Sequence, residues 1–160
     1  MAEVHLRPVT LDNYLECIRL QVEDTQAEFV APNVRSLAEA KVNPTLMPLA
    51  IYERAALGYP KPAVPMVGFT MYELTCGVGF ILRLMIDRRY QRQGYGRAAM
   101  VEVIRRLKLT PEVEMIATSH RRRNVAAAHL YRSLGFVAWY VVGDEERNPE
   151  EVFVQLPNDS

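Results

Sequence analysis

The chain has 160 residues, 49% of them apolar and 24% charged, with a formal net charge of zero; this fits one globular domain over residues 1–160 and excludes a disordered or fibrous chain. No apolar run approaches the roughly 18 residues that span a membrane, and the amino terminus lacks the basic and apolar regions of a signal peptide. Cys17 and Cys76 form neither a disulfide framework nor a zinc pattern, so we expect a cytoplasmic protein with no metal. The absence of a long apolar run predicts no membrane partner.

The first part of the chain is predicted to form a strand and then a helix. Val4–Val9 alternates apolar and polar residues, as a strand with one buried face does. Thr10 is a suitable helix N-cap, and the residues after it place apolar side chains at helical spacing at Leu11, Tyr14, Leu15, Ile18 and Val22. A polar and acidic segment, residues 23–28, follows this helix.

A second helix and two strands are predicted next. Ser36 and Glu39 have the spacing of a capping box, which predicts a helix over residues 36–42. The apolar runs Leu49–Tyr52 and Val64–Tyr72 predict two strands, and the connection between them is rich in glycine and proline.

The second half of the chain alternates strands and helices. Val78–Ile86 and Met115–Thr118 are predicted strands, and Phe136–Val142 and Val152–Leu156 are predicted to close the chain as a hairpin. A helix follows each of the first two strands, with inner faces at Met100, Val103, Ile104 and Leu107 and at Ala127, Leu130, Tyr131 and Leu134. This alternation predicts a three-layer α/β or α+β domain.

A turn rich in arginine and glycine gives the strongest functional signal. Gln91–Arg97 lies between a predicted strand and a predicted helix and contains Gly94 and Gly96. Glycine adopts positive φ and lets an oxygen approach the backbone, and the free N–H groups at a helix start attract anions. The turn therefore predicts a phosphate site, whereas a tight connection without a ligand is the alternative explanation.

Two nucleotide-binding motifs are excluded at this turn. A Walker loop needs a lysine and a serine or threonine after its last glycine, but Arg97 and Ala98 follow Gly96. A dinucleotide fingerprint needs a third glycine, which Met100 and its neighbours do not supply.

Positive charge is concentrated around the turn. Residues 83–132 hold twelve basic and four acidic side chains, whereas residues 1–54 hold five basic and eight acidic ones. A basic half suits either nucleic acid or a phosphorylated small molecule. The aromatic platforms and recognition helices of nucleic-acid-binding proteins are not evident, so we expect a small phosphorylated ligand and no nucleic acid. A nucleic-acid-binding domain stays as an alternative.

A second segment, Asn124–Phe136, places two polar side chains on one helix face. Asn124 and Tyr131 are seven residues apart in the chain, which corresponds to two helical turns. A capping asparagine and a core tyrosine would explain the same residues without a ligand.

Together the two segments resemble the GNAT N-acetyltransferase superfamily. Gln91–Arg97 is similar to its pyrophosphate loop, Gln/Arg-x-x-Gly-x-Gly/Ala, and Asn124–Phe136 is similar to its second acetyl-CoA motif. The resemblance covers nearly the whole chain. It implies an α/β (α+β) fold with a mixed, strongly bent central sheet flanked by helices, acetyl-CoA as co-substrate, and a homodimer as an assembly common in the family.

The resemblance also implies which residues bind acetyl-CoA. The backbone of the turn would bind the pyrophosphate, through Arg92, Gln93, Gly94, Tyr95, Gly96 and Arg97. The strand residues Leu84, Met85 and Ile86 would pair with the pantetheine arm and hold the thioester carbonyl. Asn124 would hydrogen-bond the pantetheine, and the Tyr131 hydroxyl would protonate the departing thiolate.

These residue types fit direct attack of an amine on a thioester. The reaction needs a fixed acyl carbonyl, an uncharged amine and a proton for the leaving sulfur. Backbone N–H groups can stabilise the oxyanion, and a phenol can protonate sulfur, so no serine or cysteine nucleophile is required. His120 and Arg121–Arg123 just precede Asn124 and are expected near the CoA phosphates.

Within the superfamily the chain is most similar to bacterial polyamine acetyltransferases, which implies spermine, spermidine or a diamine as acceptor. The residues that carry this similarity are Gln26, Phe29–Ala31, Asn33, Ser36–Ala40 and Arg83–Asp87. Glu23, Asp24 and Glu28 would suit a cationic amine, although three acids in a polar connection also fit a solvated surface.

Two positions depart from relatives in the superfamily. Several polyamine acetyltransferases have a carboxylate where Leu82 stands, and some peptide amino-terminal acetyltransferases have a glutamate where Ser119 stands. Glu73 or ordered water is then the candidate to deprotonate the amine. Acetylation of an aminoglycoside, an amino acid or a protein amine, and acyl-CoA binding without turnover, stay as alternatives.

Overall fold

A mixed sheet forms the centre of the computed structural model, in which residues 2–140 and 148–158 are described. These residues form seven strands: β1 (Val4–Pro8), β2 (Leu46–Glu53), β3 (Met66–Thr75), β4 (Val78–Ile86), β5 (Met115–Arg121), β6 (Val137–Ala138) and β7 (Glu151–Leu156). Their order in the sheet is β1-β2-β3-β4-β5-β7-β6. β4 and β5 run parallel, and the other neighbours run antiparallel.

Helices cover both faces of this sheet. In the described part of the chain they are α1 (Tyr14–Arg19), α2 (Asn33–Val42), α3 (Tyr95–Lys108) and α4 (Val125–Ser133), with single 3-10 turns at Asp24–Gln26 and Arg88–Tyr90. One core cluster joins α3 and α4 to the sheet, and a second joins α1 and α2 to it. The three layers confirm the predicted fold class. No helix among the described residues is long and apolar enough to cross a membrane.

α3 connects the parallel strands β4 and β5. Its predicted inner face is confirmed, because Met100, Val103, Ile104 and Leu107 are all buried. A parallel pair of strands needs such a crossover, and this one places the amino-terminal end of α3 directly after the turn at the end of β4.

The apolar face predicted for the first helix is wrong. α1 begins at Tyr14, because the Asn13 side chain accepts the Thr10 N–H at 2.7 Å and the residues between them form turns. Leu11 is 86% exposed and Leu15 is 48% exposed, whereas Cys17 is fully buried. α1 has only six residues, so Leu11 and Val22 lie outside it and do not share a helical face with the others.

The capping box predicted at Ser36 and Glu39 is also wrong. α2 begins three residues before Ser36, with Pro32 as its N-cap, so that Ser36 lies inside the helix and is fully buried. Glu39 instead forms ion pairs with Arg35 and Arg83.

The closing hairpin is confirmed where the structure describes it. Val137 and Ala138 pair antiparallel with Gln155 and Val154. The predicted strand residues Val141 and Val142 lie outside the described residues.

Candidate active site

The two parallel strands at the centre of the sheet separate after a short pairing. β4 pairs with β5 only as far as Ile81 and Thr118, although both strands continue beyond these residues. Leu82, the next residue of β4, is a bulge without a partner on β3. The β5-facing edge of Leu82–Ile86 is therefore free of strand pairing, and an extended amide chain can bind such an edge as an added strand.

A cavity of about 730 Å³ runs through this gap. Residues 90–92 and 94–96, at the start of α3, and residues 124, 126, 127, 130 and 131, at the N-cap of α4 and along it, line it on one face of the sheet, which we call the α3 side. Residues 26–32 and Arg35 line it on the other face, together with Arg83, Arg121 and Glu151, and we call this the α2 side. The cavity thus gives two ligands access to one another through the sheet.

Asp87 fixes the turn that leads from β4 to α3. Its buried carboxylate accepts the backbone N–H groups of Gln21 and Arg89, at 2.9 Å each, and the Arg89 Nε–H at 2.8 Å. Burial raises the pKa of Asp87, but these hydrogen bonds outweigh burial and the pKa lies below its ordinary value. The carboxylate is therefore charged at neutral pH and holds the turn in one geometry.

The turn ends in a helix start with free N–H groups. Gly94 is the N-cap of α3 with a φ of +87°, and Arg92 has a φ of +62°. The N–H groups of residues 95–97 precede the first helical hydrogen bond and have no acceptor within α3. A Cβ on Gly96 would meet only Ile86, at 3.8 Å, so the space beside Gly96 is open. Free N–H groups beside open space are what an anion site requires, and the sequence predicts such a site here.

Other side chains of the turn tie it to its neighbours. Gln91 and Gln26 exchange hydrogen bonds of 2.8 and 3.2 Å, which link the turn to the α2 side. Arg97 donates to Ser133 Oγ at 2.7 Å and so links α3 to α4. The side chains of Gln93 and Arg97 are exposed, and neither residue lines the cavity.

Asn124 caps α4, as the sequence predicts. Its Oδ1 accepts the Ala127 N–H at 3.2 Å, and the residue lines the cavity on the α3 side. Within the described residues its Nδ2 has no partner. The amide N–H₂ group is thus available to a ligand.

Tyr131 lies beside the point where β4 and β5 separate. It is 7% exposed and lines the cavity, and the rings of His120 and Phe136 lie 6.0 and 5.8 Å from its ring. Burial raises the pKa of Tyr131, and a hydrogen bond with Thr118 only partly offsets this. The phenol is therefore protonated at neutral pH and can give a proton to a group in the cavity.

The arginines before α4 bind groups of the protein itself. Arg122 Nε donates to the Pro149 carbonyl at 3.2 Å, and Arg121 and Arg123 form ion pairs with glutamates on the α2 side. The structure therefore gives these three side chains partners within the protein, whereas their expected place near the CoA phosphates stays a prediction.

The acidic residues predicted to bind the acceptor are only partly brought to the cavity. Glu28 lines it, with a side chain that is 54% exposed and 3.2 Å from Arg123. Glu23 and Asp24 do not line it, and Glu73 is hydrogen-bonded to the connection between α2 and β2 instead. Among the described residues no group of three or more histidines, cysteines or acids could hold a metal ion.

Glu151 and Arg83 line the α2 side, and the sequence did not identify either as a charged group of the cavity. Arg83 is 3.2 Å from Glu39 Oε2, and Glu151 Oε1 is 3.5 Å from Arg121 Nε. In the described chain Arg83 Nε and Glu151 Oε2 are buried without a hydrogen-bond partner. No local pattern marks these residues, because the strand order alone brings β4 and β7 to the two sides of β5.

Comparison with known sequences identifies a family. A sequence model of the acetyltransferase (GNAT) family matches residues 21–136, a stretch that contains the anion-binding turn and α4. The chain is 27% identical over 160 residues to the spermine/spermidine N(1)-acetyltransferase of Bacillus subtilis (strain 168), covering 95% of this chain and 97% of that protein.

Solved structures share the fold. The PaiA N-acetyltransferase of Thermoplasma acidophilum, crystallised with coenzyme A, matches with a TM-score of 0.68 and 12% identity, over 98% of this chain and 99% of that chain. An acetyltransferase of Bacillus subtilis in complex with CoA matches with a TM-score of 0.69 and 13% identity, over 99% of this chain and 100% of that chain. At such identities the likeness concerns the fold alone.

Proposed function

The chain belongs to the GNAT acetyltransferase family, whose members use acetyl-CoA as donor, and we propose that its acceptor is the primary amine of a polyamine or diamine. The observation that carries the proposal is the gap between β4 and β5. This gap joins an anion-binding turn and a protonated phenol on the α3 side to the acidic residues of the α2 side. The name of the Bacillus subtilis relative supports a polyamine as the acceptor.

Acetyl-CoA binds from the α3 side in this proposal. Its pyrophosphate oxygens accept hydrogen bonds from the backbone N–H groups of residues 95–97 and of the turn before them. The dipole of α3 favours negative charge at this position. Its pantetheine arm pairs with the open edge of Leu84–Ile86, and Asn124 Nδ2 donates to an amide carbonyl of that arm. The thioester then lies at the point where the two strands separate.

The amine approaches the thioester from the α2 side. Its lone pair attacks the acyl carbon, and backbone N–H groups of the open β4 edge stabilise the oxyanion. The carbon–sulfur bond breaks and the leaving sulfur takes the proton of the Tyr131 hydroxyl, which the buried setting keeps on the phenol at neutral pH. Holding both reactants across one gap replaces a bimolecular encounter by a fixed geometry.

A panel of amines tests the acceptor. Purified protein with acetyl-CoA and spermidine, spermine or putrescine should release thiol, and the amine should gain one acetyl group by mass spectrometry. Acetylation restricted to aminoglycosides, amino acids or lysine peptides would overturn the polyamine acceptor and leave the family activity intact. Binding of CoA without thiol release in any arm would instead indicate an acyl-CoA-binding module.

A further inference from the structure

Two carboxylates line the cavity in the described part of the chain, and they are held differently. Glu28 is on the exposed segment before α2, its side chain is 54% exposed, and its ion pair with Arg123 lies at the surface. Glu151 is on a strand of the sheet, and its side chain is 24% exposed. Arg121 binds only one of its oxygens, and the other is buried with no partner among the described residues.

The register of the sheet places Glu151 on the α2 side. Val152 and Val154 of β7 pack in the core cluster beneath α3 and α4. Because successive residues of a strand point to opposite faces, Glu151 points to the other face. It is paired in register with Arg121, three residues beyond the last pair that joins β5 to β4, at Thr118. Glu151 thus lies across β5 from the gap.

We propose that Glu151 binds the ammonium group of the acceptor and removes its proton. The proposal rests on the acetyl transfer described above and identifies the residue that prepares the amine. Within the part of the chain that the structure describes, Oε2 is buried and has no partner, and it can accept an N–H of the ammonium when the carboxylate turns towards the cavity. Leu82 and Ser119, the residues on either side of the gap, carry no carboxylate, and Glu151 supplies one from the neighbouring strand.

The reaction balances with Glu151 and Tyr131 in these two roles. One ammonium proton passes to Glu151 and from there to solvent, which leaves an amine with a free lone pair. The carbon–nitrogen bond forms, the carbon–sulfur bond breaks, and sulfur takes the phenolic proton of Tyr131. The second proton, which nitrogen loses when it becomes an amide, restores the phenol. The products are the acetylated amine, CoA with a free thiol, and one proton in solvent.

Other charged groups around Glu151 agree with this placement. Arg121 of β5 is its ion-pair partner, and Arg83 of β4 and Tyr131 of α4 line the same cavity. Burial lowers the pKa of Arg83, while Glu39 and Glu151 act in the opposite direction. Burial raises the pKa of Tyr131, and Glu151 adds to the rise. Glu151 is thus close enough to Arg83 and to Tyr131 to affect the pKa of each.

A matched pair of variants tests the proposal. Glu151→Gln keeps the size of the side chain and removes its charge, and Glu150→Gln makes the same change at the exposed neighbouring residue. With the best amine of the panel, we expect Glu151→Gln to lower kcat/KM about 100-fold near neutral pH. The loss should shrink as the pH rises towards the amine's own pKa of about 10, because solution then supplies the free base. Glu150→Gln should match the wild type throughout.

A second variant and a binding measurement guard against misfolding. Glu151→Asp should recover part of the lost activity, and all three variants should bind CoA as the wild type does. Wild-type activity of Glu151→Gln, or a loss that is the same at every pH, overturns the role of Glu151. The wild type could instead acetylate another amine and no polyamine, with the same loss of activity in Glu151→Gln. That result would contradict the polyamine acceptor and support the role of Glu151. If no amine is acetylated, both proposals fall.

Discussion

The two sides of the cavity are built by different means. The α3 side consists mainly of backbone groups from two short continuous segments, the turn that ends at Gly94 and the start of α4 at Asn124. The α2 side combines one continuous segment, residues 26–32 together with Arg35, with charged side chains from distant strands, among them Arg83, Arg121 and Glu151. In our proposal, donor binding therefore depends mainly on backbone geometry, and acceptor binding depends on individual side chains and their charges.

This difference predicts how each side responds to substitution. Backbone N–H groups stay in place when most side chains change, so only a residue that alters φ or fills the anion site damages the α3 side. A single charge on the α2 side has no substitute, and its ion pairs weaken with salt where they are exposed. Four variants examine this contrast, from the largest expected effect to the smallest.

Gly94→Glu should abolish CoA binding. It places a carboxylate where the phosphates bind, and we expect CoA affinity to fall more than about 1000-fold, measured by calorimetry. Gly94→Ala is the control, because both variants force a side chain into positive φ at a cost of about 1 kcal/mol and a Cβ there meets only Ala2, at 3.4 Å. If Gly94→Ala abolishes binding as well, backbone conformation rather than the anion site is what Gly94→Glu destroys.

Tyr131→Phe should lower kcat about 100-fold and leave CoA affinity within about twofold, because it removes one proton and no binding group. Steady-state thiol release and CoA calorimetry measure the two effects. Tyr140→Phe is the matched control, since Tyr140 is 82% exposed and does not line the cavity. Unchanged kcat in Tyr131→Phe would remove this residue from the acid role.

Asp87→Asn should destabilise the turn between β4 and α3, although Asp87 itself does not line the cavity. It replaces a charged acceptor of three hydrogen bonds, and we expect the free energy of unfolding to fall by about 1–3 kcal/mol. Because the folded pKa of Asp87 lies below its ordinary value of 3.8, the charged form stabilises the wild type above about pH 4, and this contribution is lost as the pH falls further.

Urea unfolding at several pH values measures this effect. The wild type should lose stability on acidification more steeply than Asp87→Asn, and Asp12→Asn, at an exposed aspartate, should follow the wild type. Parallel curves for the wild type and Asp87→Asn would show that the carboxylate does not hold the turn.

Glu28→Gln should have the smallest effect. The side chain is 54% exposed and paired with an arginine that is 69% exposed, so its interaction is worth less than about 1 kcal/mol. We expect the KM for spermidine to rise less than about threefold, with the difference disappearing at high salt. An effect as large as that of Glu151→Gln would place the reacting amine beside Glu28 instead.

The sequence predicts the α3 side better than the α2 side because of how each is assembled. Gly94 and Asn124 lie in segments whose local order carries the signal. The structure confirms the cap at Asn124 and shows free N–H groups at the start of α3, whereas anion binding there stays a prediction. Glu151 and Arg83 are 68 positions apart (151 − 83) and meet only through the strand order, which no local pattern encodes. Of the three acids at residues 23–28 only Glu28 lines the cavity, and composition does not tell which acids point inwards.

A ligand that joins both substrates tests the two-sided cavity most directly. The probe is a conjugate in which an acetyl bridge links the sulfur of CoA to the primary nitrogen of spermidine, and the measurement is the crystal structure of its complex. We expect the pyrophosphate on the N–H groups of residues 95–97, the bridge between Leu82 and Ser119, and the spermidine nitrogen against Glu151. A conjugate whose spermidine arm lies on the same face of the sheet as its pyrophosphate would contradict transfer through the gap.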